Sequence, residues 1–205
     1  MFRFVVAICC SVLLSGPALA ETRVALVIGN GAYAGVGGLA NPGRDAKAIA
    51  DLLAAASFDV SNHFDLDRKA MRAALKSFST KAATADVAVV YFAGHGMEIG
   101  GSNWLLPVDA TLASSDDIED EAIRLDAVRA AVADVRRLRV VILDACRDNP
   151  FTAKMKLSKR SMALGRGLAR VEPETAEVIA YAAAEGHTAS DGSGSHSPYT
   201  AALLR

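Results

Sequence analysis

One histidine and one cysteine stand out because each follows an apolar run and each belongs to a residue type that performs nucleophilic chemistry. His95 lies between Gly94 and Gly96, and Cys146 closes a second apolar segment 51 residues later (146 − 95). A thiol beside an imidazole can lose its proton near neutral pH, which makes the sulfur a better nucleophile. The pattern predicts a Cys–His catalytic pair, provided that the fold brings the two segments together.

The glycine after the histidine suggests a second part of the same site. A residue without a side chain, such as Gly96, lets a substrate carbonyl approach the backbone N–H, which together with the amide of Cys146 predicts an oxyanion hole. The alternative is structural, because an isolated cysteine near a buried strand is more often a small core residue. The sequence reveals no third residue that would orient His95.

Apolar runs and amphipathic segments alternate along the chain, and this pattern predicts the elements that position the pair. Near-continuous apolar runs indicate buried parallel strands covered by helices on both faces. We expect an α/β fold, Rossmann-like, with a mostly parallel sheet of about five or six strands. The carboxyl ends of parallel strands share one edge, so His95 and Cys146 should lie about one strand spacing apart if their strands are neighbours. The predicted strands are residues 23–28, 58–64, 86–93, 138–143 and 178–182.

Capping residues and helical periodicity predict the intervening helices. Asn41 is expected to cap a helix with one apolar face, and Asp67 a second. Asp126 should begin a third helix that runs through residue 135, and Ser197 with Pro198 should open a last one. The apolar faces predicted for the first two helices are Ala46, Ile49, Leu52, Leu53 and Ala56, and then Met71, Leu75, Phe78 and Ala82.

Length and composition limit the possible functions. The chain has 205 residues, 52% of them hydrophobic and 22% charged, with a formal net charge of −1. These values predict one globular domain and give no reason to expect a nucleic-acid partner. Three cysteines are too few for a disulfide scaffold.

The first twenty residues have the pattern of a signal peptide. Arg3 supplies a positive charge, an apolar run follows, and residues 18–20 form a small-x-small cleavage site. We therefore expect an exported protein, periplasmic or extracellular, with a mature domain at residues 21–205 and no membrane association after cleavage. An uncleaved N-terminal anchor is the alternative. Cleavage would remove Cys9 and Cys10 and leave Cys146 as the lone thiol.

Several segments together resemble a known family. Residues 90–96 and 140–147 resemble the His and Cys motifs of the caspase-like cysteine peptidases (peptidase C14, caspase p20-type domain), and more narrowly the bacterial metacaspase-like (orthocaspase) members. The spacing of about 50 residues between His and Cys also resembles that of caspases. Further similar segments are residues 29–30, 105–109, 179–182 and 198–200. The resemblance implies a caspase-like fold, His95 as general base, Cys146 as nucleophile, and the amides of Gly96 and Cys146 as oxyanion hole.

The resemblance also bears on specificity. Animal caspases have glutamine two residues before the cysteine, in a pocket for an acidic P1 side chain, whereas this chain has Asp144. A carboxylate there would attract Arg or Lys, as in metacaspases. Asp45 matches a second acidic residue of the metacaspase P1 pocket, although it could instead be a helix first-turn carboxylate. Glu185 is a weaker candidate for the same rim.

Cofactor motifs are few. Some metacaspases bind calcium through acidic residues in the region of Asp109, Asp120 and Glu121, so a calcium site is possible there by resemblance, but the run does not match an EF-hand loop. A glycine-rich loop at residues 29–38 does not fit a nucleotide fingerprint. No organic cofactor or other metal is expected.

These observations predict a cysteine endopeptidase that acts on polypeptides and cleaves after Arg or Lys. The alternatives are a caspase-fold module that binds peptides without cleaving them, and a different acyl-transfer hydrolase. Residues 154–170 are rich in basic residues and predict an exposed linker that the enzyme itself could nick. The last helix could be cut short at Arg205, and the oligomeric state is left open.

Overall fold

The computed structural model describes most of the predicted mature domain. The described residues are 21–146, 151, 155–156, 168–169, 171–182 and 191–205. The predicted signal peptide, Glu185 and most of the predicted linker lie outside them. Of Cys146, the structure describes the backbone.

Seven strands form one mixed sheet. They are β1 (Arg23–Gly29), β2 (Asp59–Phe64), β3 (Val87–Ile99), β4 (Ser102–Leu105), β5 (Ile123–Arg124), β6 (Leu138–Cys146) and β7 (Glu177–Tyr181). Five of them form a parallel sheet in the order β2-β1-β3-β6-β7. These are the five strands that the sequence predicts, four from apolar runs and β2 from an alternating pattern. The short strand β4 pairs antiparallel with the last residues of β3, β5 pairs antiparallel with β4, and neither has such a run.

Five helices accompany the sheet. They are α1 (Pro42–Ala55), α2 (Arg68–Ala82), α3 (Ile118–Glu121), α4 (Leu125–Ala130) and α5 (Pro198–Leu203). None of the helices in the described part of the chain is both long and apolar enough to cross a membrane.

The core lies on both faces of the sheet, because successive side chains of a buried strand point in opposite directions. Leu26 of β1 packs with Met71 and Phe78 of α2 in one cluster. Val27, the next residue, packs with Ile49 of α1 in another. The predicted doubly covered α/β architecture is therefore confirmed.

The third strand is longer than predicted, which changes where His95 lies. The apolar run ends near Ala93, where pairing with β1 also ends. The strand nevertheless continues, and from Gly96 onward it pairs with β4 instead. His95 therefore lies inside β3, at the point where the partner on one side changes, and not beyond a strand tip.

Other local expectations need correction. In α1, Leu52 is 45% exposed and Ala56 is also exposed, because the helix buries a narrower face than its periodicity suggests. Asn41 does not cap α1 with its side chain, since that amide binds Asp191 and Arg44 instead. The helix α4 begins at Leu125 and ends at Ala130, and the buried Val132 and Val135 follow in turns.

Candidate active site

The pairing of β3 with β6 brings His95 and Cys146 side by side. They are register partners at the end of a parallel ladder that begins with Val87 and Leu138. Neighbouring strands lie about 4.8 Å apart, so the two backbones are separated by about one strand spacing. This is the separation that the sequence predicts.

A backbone carbonyl orients the imidazole of His95. The Nε2 atom lies 3.0 Å from the carbonyl oxygen of Gly37, in the loop that follows β1. A carbonyl can only accept, so Nε2 carries the hydrogen and the neutral ring keeps its lone pair on Nδ1. Among the described residues Nδ1 is buried without a hydrogen-bond partner. The nitrogen available as a base is therefore Nδ1.

The surroundings of His95 keep it neutral. Only 7% of the residue is exposed, and its ring lies 4.5 Å from that of Tyr33 at an interplanar angle of 52°. Burial lowers the pKa of His95, and the hydrogen bond to Gly37 and the charge of Asp191 offset this only in part. An imidazole with a lowered pKa is unprotonated at neutral pH and can accept a proton.

The backbone of His95 is fixed as firmly as its ring. Its N–H donates to the hydroxyl oxygen of Tyr33 at 2.7 Å, and that hydroxyl donates to the carbonyl of Leu106 at 3.2 Å. The N–H of Leu106 donates back to the carbonyl of His95 at 3.0 Å. These bonds tie the end of β3 to the loop after β1 and to the chain that follows β4.

The two glycines that flank His95 are required for space. A Cβ atom at Gly94 would lie 2.5 Å from the Tyr33 hydroxyl oxygen, closer than real Cβ contacts. At Gly96 a Cβ would lie 3.2 Å from the Cβ of Ala145. In an antiparallel ladder, successive residues point their N–H and C=O groups to opposite sides of the strand. The carbonyl of His95 accepts the N–H of Leu106, so the N–H of the next residue, Gly96, points away from β4.

Asp144 is held by three hydroxyl groups. Its Oδ2 atom accepts hydrogen bonds from Tyr91 at 3.1 Å, Thr200 at 2.7 Å and Ser197 at 2.5 Å. Asp144 is 8% exposed, and all three donors are almost fully buried. Burial, followed by the charge of Asp144, raises the pKa of Tyr91, so this hydroxyl stays protonated as a donor.

Asp45 lies beside Asp144 and shares a neighbour with it. The N–H of Ser197 donates to Oδ2 of Asp45 at 3.1 Å, while the hydroxyl of the same serine binds Asp144. The other oxygen of Asp45 lies 2.7 Å from Nδ1 of His196. The structure thus brings together the two acidic residues that the sequence assigns to a P1 pocket.

Part of the predicted linker is buried beside the glycine of the proposed oxyanion hole. The side chain of Leu168 is 2% exposed and lies 3.4 Å from where a Cβ of Gly96 would be. Asn103 of β4 holds the next residue, Ala169, because its amide donates to the carbonyl at 2.7 Å and accepts from the N–H. The expectation of a uniformly exposed linker is therefore wrong at this point.

Comparison with known proteins identifies the family. The family model described as the caspase domain, Peptidase_C14, matches residues 22–205. The chain belongs to this family. Its match covers all seven strands of the sheet and both predicted catalytic residues of the caspase domain.

Two curated relatives resemble part of this caspase domain. The human mucosa-associated lymphoid tissue lymphoma translocation protein 1 is 36% identical over 92 residues, which are 45% of this chain and 11% of that protein. The mouse homologue is 34% identical over 96 residues, 47% of this chain and 12% of its own length. The chain therefore spans only a small part of the relatives that it matches.

A solved structure shares the fold. The crystal structure of protein GSU0716 from Geobacter sulfurreducens superposes with a TM-score of 0.64 at 14% identity. The match covers 90% of this chain and 81% of that one. At this identity the likeness extends to the fold alone.

The three residues proposed for calcium line one pocket together with Arg68, Lys69 and Arg72, but they are engaged by other groups or point into solvent. Oδ1 of Asp109 accepts from the N–H of Arg68 at 2.9 Å, and the carboxylate of Glu121 binds Thr111 and Leu112. Asp120 is almost fully exposed and lies 4.0 Å from the Arg68 guanidinium. Within the described ranges no three His, Cys, Asp or Glu side chains are grouped to hold a metal. Calcium binding stays a prediction without a ligand cluster.

Sequence reasoning missed several residues of the site. Gly37 acts through its carbonyl, which no residue type reveals. His196 lies in the segment 192–196, which the sequence suggests is a flexible loop, yet the structure places it against Asp45. The family-like segment 198–200 was the available signal, because Thr200 turns out to bind Asp144.

Proposed function

We propose that this caspase domain is a cysteine endopeptidase that uses His95 and Cys146 and cleaves after Arg or Lys. One observation carries the proposal. The Nδ1 atom of His95 has no hydrogen-bond partner among the described residues, and it belongs to a buried, neutral imidazole beside Cys146 in the β3–β6 register. A buried nitrogen without a hydrogen-bond donor lowers the stability of the fold, so a role in catalysis accounts for its presence.

The proposed reaction has two stages. In the first, Nδ1 of His95 takes the thiol proton of Cys146, and the sulfur attacks the scissile carbonyl carbon. The carbonyl electron pair moves to oxygen, and the N–H groups of Gly96 and Cys146 donate to this oxyanion. The electron pair then returns, the C–N bond breaks, and Nδ1–H gives its proton to the leaving amine. In the second stage, water deprotonated by His95 hydrolyses the acyl-enzyme and restores the thiol.

The charge near Cys146 supports a basic P1 side chain. Asp144 lies two residues before the nucleophile, and only one of its oxygens is occupied by the three hydroxyl donors. A P1 Arg that binds the other oxygen gains a charge-assisted hydrogen bond worth about 1.5–3 kcal/mol. A P1 Asp would be repelled by the same carboxylate. Arg should be accepted at least as well as Lys, because its planar guanidinium presents several N–H donors to the open oxygen.

The test is a P1 profile with Arg, Lys, Asp and Asn in one fluorogenic tetrapeptide. We expect kcat/KM for Arg to exceed that for Asp at least about a hundredfold. Cys146→Ala should remove the activity, and His95→Ala should lower it by about 10²–10⁴. Asp144→Asn should remove most of the preference while the thiol still reacts with iodoacetamide. Asp59→Asn, which neutralises an exposed carboxylate on β2, is the matched control.

The same experiment separates the alternatives. A peptide-binding module without catalysis would bind the P1-Arg peptide but give no labelled Cys146 with a P1-Arg electrophile. A different acyl-transfer hydrolase would label Cys146 without preference for Arg over Asp. Activity of Cys146→Ala close to that of the wild type would overturn the proposed mechanism.

We also propose that the enzyme is exported and acts on polypeptides outside the cytoplasm. The family match begins at residue 22, which leaves the signal-like residues 1–20 outside the caspase domain. N-terminal sequencing of the protein recovered from the periplasm or medium tests this, and a chain that begins at Met1 would contradict it.

A further inference from the structure

The carboxylate of Asp45 is already fully engaged by the protein's own chain. Asp45 is 1% exposed. One of its oxygens lies 2.7 Å from Nδ1 of His196, and the other accepts the N–H of Ser197 at 3.1 Å. A P1 cation that binds Asp45 must therefore share this carboxylate with His196 or replace it.

Asp144 differs from Asp45 in this respect. Its three hydroxyl donors all bind Oδ2, and in the described part of the chain Oδ1 receives no donor. Hydroxyl groups carry no charge, whereas an imidazole can. With respect to the described residues, the two carboxylates thus differ in what a substrate must displace: nothing at one oxygen of Asp144, but an imidazole at Asp45.

The imidazole is held in place by the segment that carries it. Asp191 accepts the N–H groups of Ala40 and Asn41 at 3.0 and 3.3 Å, and the Nε of Arg44 donates to the carbonyl of Ser195 at 2.9 Å. These bonds fix the segment before His196 against the start of α1. The His196 side chain is still 29% exposed, so water and protons reach it.

We propose that His196 is a specificity-determining residue that occupies, at Asp45, the position of the cationic P1 side chain, so that its protonation weakens binding of Arg or Lys. The proposal rests on the proposed function, because it concerns the P1 side chain of that reaction. Two geometries lead to the same result. If the imidazole leaves, an imidazolium is harder to displace from a carboxylate than a neutral ring. If it stays, its positive charge repels the P1 cation.

The charged groups around His196 determine how its protonation changes the net charge that a P1 cation meets. From α1 come Asp45 and Arg44, from β6 comes Asp144, and from its own segment Asp191. With both pocket carboxylates ionised, protonation of His196 changes their combined charge with the imidazole from −2 to −1. Tyr91 of β3 also faces Asp144, but burial and that charge raise its pKa, so it remains neutral.

Asp45 itself needs a separate control. Burial raises the pKa of this carboxyl, and the bonds to Ser197 and His196 offset the shift only in part. Protonation of Asp45 at acid pH would also weaken binding of a cation, with or without the histidine. The double variant Asp45→Asn with His196→Gln separates the two, because the effect of His196 requires an ionised Asp45.

The test measures binding and not turnover, so that titration of the catalytic histidine does not interfere with rates. The Cys146→Ala protein is titrated with a P1-Arg peptide and with its neutral citrulline analogue at about pH 5.5 and about pH 8. We expect Kd for the Arg peptide to rise about five- to tenfold more than Kd for the citrulline peptide on acidification. His196→Gln, which keeps a donor to Asp45, should remove most of this difference. His63→Gln, a partly exposed histidine on β2, should not.

Proton release provides an independent measurement of the same effect. Calorimetry in two buffers of different ionisation enthalpy counts the protons released when the Arg peptide binds near pH 6. Release of part of one proton is expected, together with its loss in His196→Gln and no further loss when Asp45→Asn is added.

The outcomes separate this inference from the proposed function. If Kd for the Arg peptide changes equally with pH in His196→Gln and in the parent protein, and the peptide still binds tightly, the role of His196 is overturned. The Arg specificity would stand. Failure of the Arg peptide to bind better than citrulline at either pH overturns both. If His196→Gln did not fold, the absence of buffer-dependent heat in the parent protein would overturn the proposal by itself.

Discussion

The Nε2–H of His95 donates to the carbonyl oxygen of Gly37 at 3.0 Å, and this bond leaves Nδ1 as the only nitrogen of the neutral ring that can accept a proton. The bond comes from a backbone atom in the loop after β1, so it cannot be removed by changing a side chain. It fixes the tautomer in the way that a carboxylate does in other hydrolytic sites. Unlike a carboxylate, it adds no negative charge that would favour the imidazolium.

The first prediction concerns the pH dependence of turnover. Because burial lowers the pKa of His95, the base is lost only as the pH falls through a value below the ordinary one of about 6.5. At saturating P1-Arg substrate, kcat should therefore stay constant from neutral pH to below about 6.5 and decline only at lower pH. A kcat profile whose acid limb has its midpoint above about 6.5 would contradict a buried, neutral His95 as the base.

The second prediction concerns the space around His95. In Gly94→Ala the new methyl group would lie 2.5 Å from the hydroxyl oxygen of Tyr33 and 2.9 Å from Cζ of Phe92. The hydroxyl that holds the N–H of His95 must then shift. We expect a loss of about 2–3 kcal/mol in the free energy of unfolding and at least a tenfold lower kcat.

Gly43→Ala is the matched control for this substitution. Gly43 lies in the first turn of α1, and a Cβ there would meet nothing within 4 Å. Alanine should therefore be neutral or add up to about 1 kcal/mol of stability, with unchanged kcat. If Gly94→Ala and Gly43→Ala had equal effects on urea unfolding and on turnover, crowding at Gly94 would not be the cause of any loss in stability or kcat.

The third prediction concerns an ion pair that fastens the edge strand β7. Arg129 of α4 binds Glu177 through two nitrogens at 2.9 and 2.7 Å, and the Glu177 side chain is 2% exposed. The bond to Arg129 is the main reason that the pKa of Glu177 lies below its ordinary value, although burial opposes it. Glu177→Gln should cost about 2–3 kcal/mol at neutral pH, because it leaves the partly buried Arg129 with only the exposed Glu174 as a nearby ion-pair partner.

The sign of the pH dependence follows from the lowered pKa of Glu177. Its stabilising contribution is complete above the unfolded value of about 4.3 and is lost as the pH falls through the folded value. The stability gap between wild type and Glu177→Gln should therefore narrow below about pH 4. Glu174→Gln is the control, since Glu174 is 67% exposed and lies 3.7 Å from Arg129. If urea titrations gave the same difference in unfolding free energy between wild type and Glu177→Gln at every pH, this explanation of the ion pair would be contradicted.

The centre of the parallel sheet was predictable because burial on both faces makes β1, β3 and β6 near-continuous apolar runs, whereas the edge strand β2 shows an alternating pattern. The same reasoning identified Met71, Leu75 and Phe78 on α2, whose single buried face gives a clean helical period. The strands β4 and β5 could not be found this way. Their four and two residues are too short for a period, and Ile123 and Trp104 are buried by tertiary packing.

Site candidates could be taken from the sequence where a chemically active side chain follows an apolar run, or, for Asp45 on α1, from the family resemblance. His95, Cys146 and Asp144 met that condition. The interaction of His196 with Asp45 spans 151 residues of sequence and depends on how the segment before α5 folds back. No local signal encodes such a contact. The carbonyl of Gly37 is a still harder case, because every residue has the same group.

The last prediction concerns the three hydroxyl groups that hold Asp144. Thr200 is fully buried, and its hydroxyl lies 2.7 Å from Oδ2 of Asp144 and 2.6 Å from the Tyr91 hydroxyl. Thr200→Val keeps the shape but removes one donor to the carboxylate, at a cost of about 1.5–3 kcal/mol in stability. With one donor fewer, the carboxylate is held less firmly toward the P1 side chain.

We therefore expect Thr200→Val to lower kcat/KM for the P1-Arg peptide about tenfold, which corresponds to about 1.4 kcal/mol. The iodoacetamide reactivity of Cys146 and the residual cleavage of a citrulline peptide should change much less. Thr200→Ser restores the hydroxyl and should recover most of the preference for Arg, whereas a purely structural role would give parallel losses for both peptides. If Val and Ser gave the same ratio of Arg to citrulline cleavage, the hydroxyl of Thr200 would have no part in positioning Asp144.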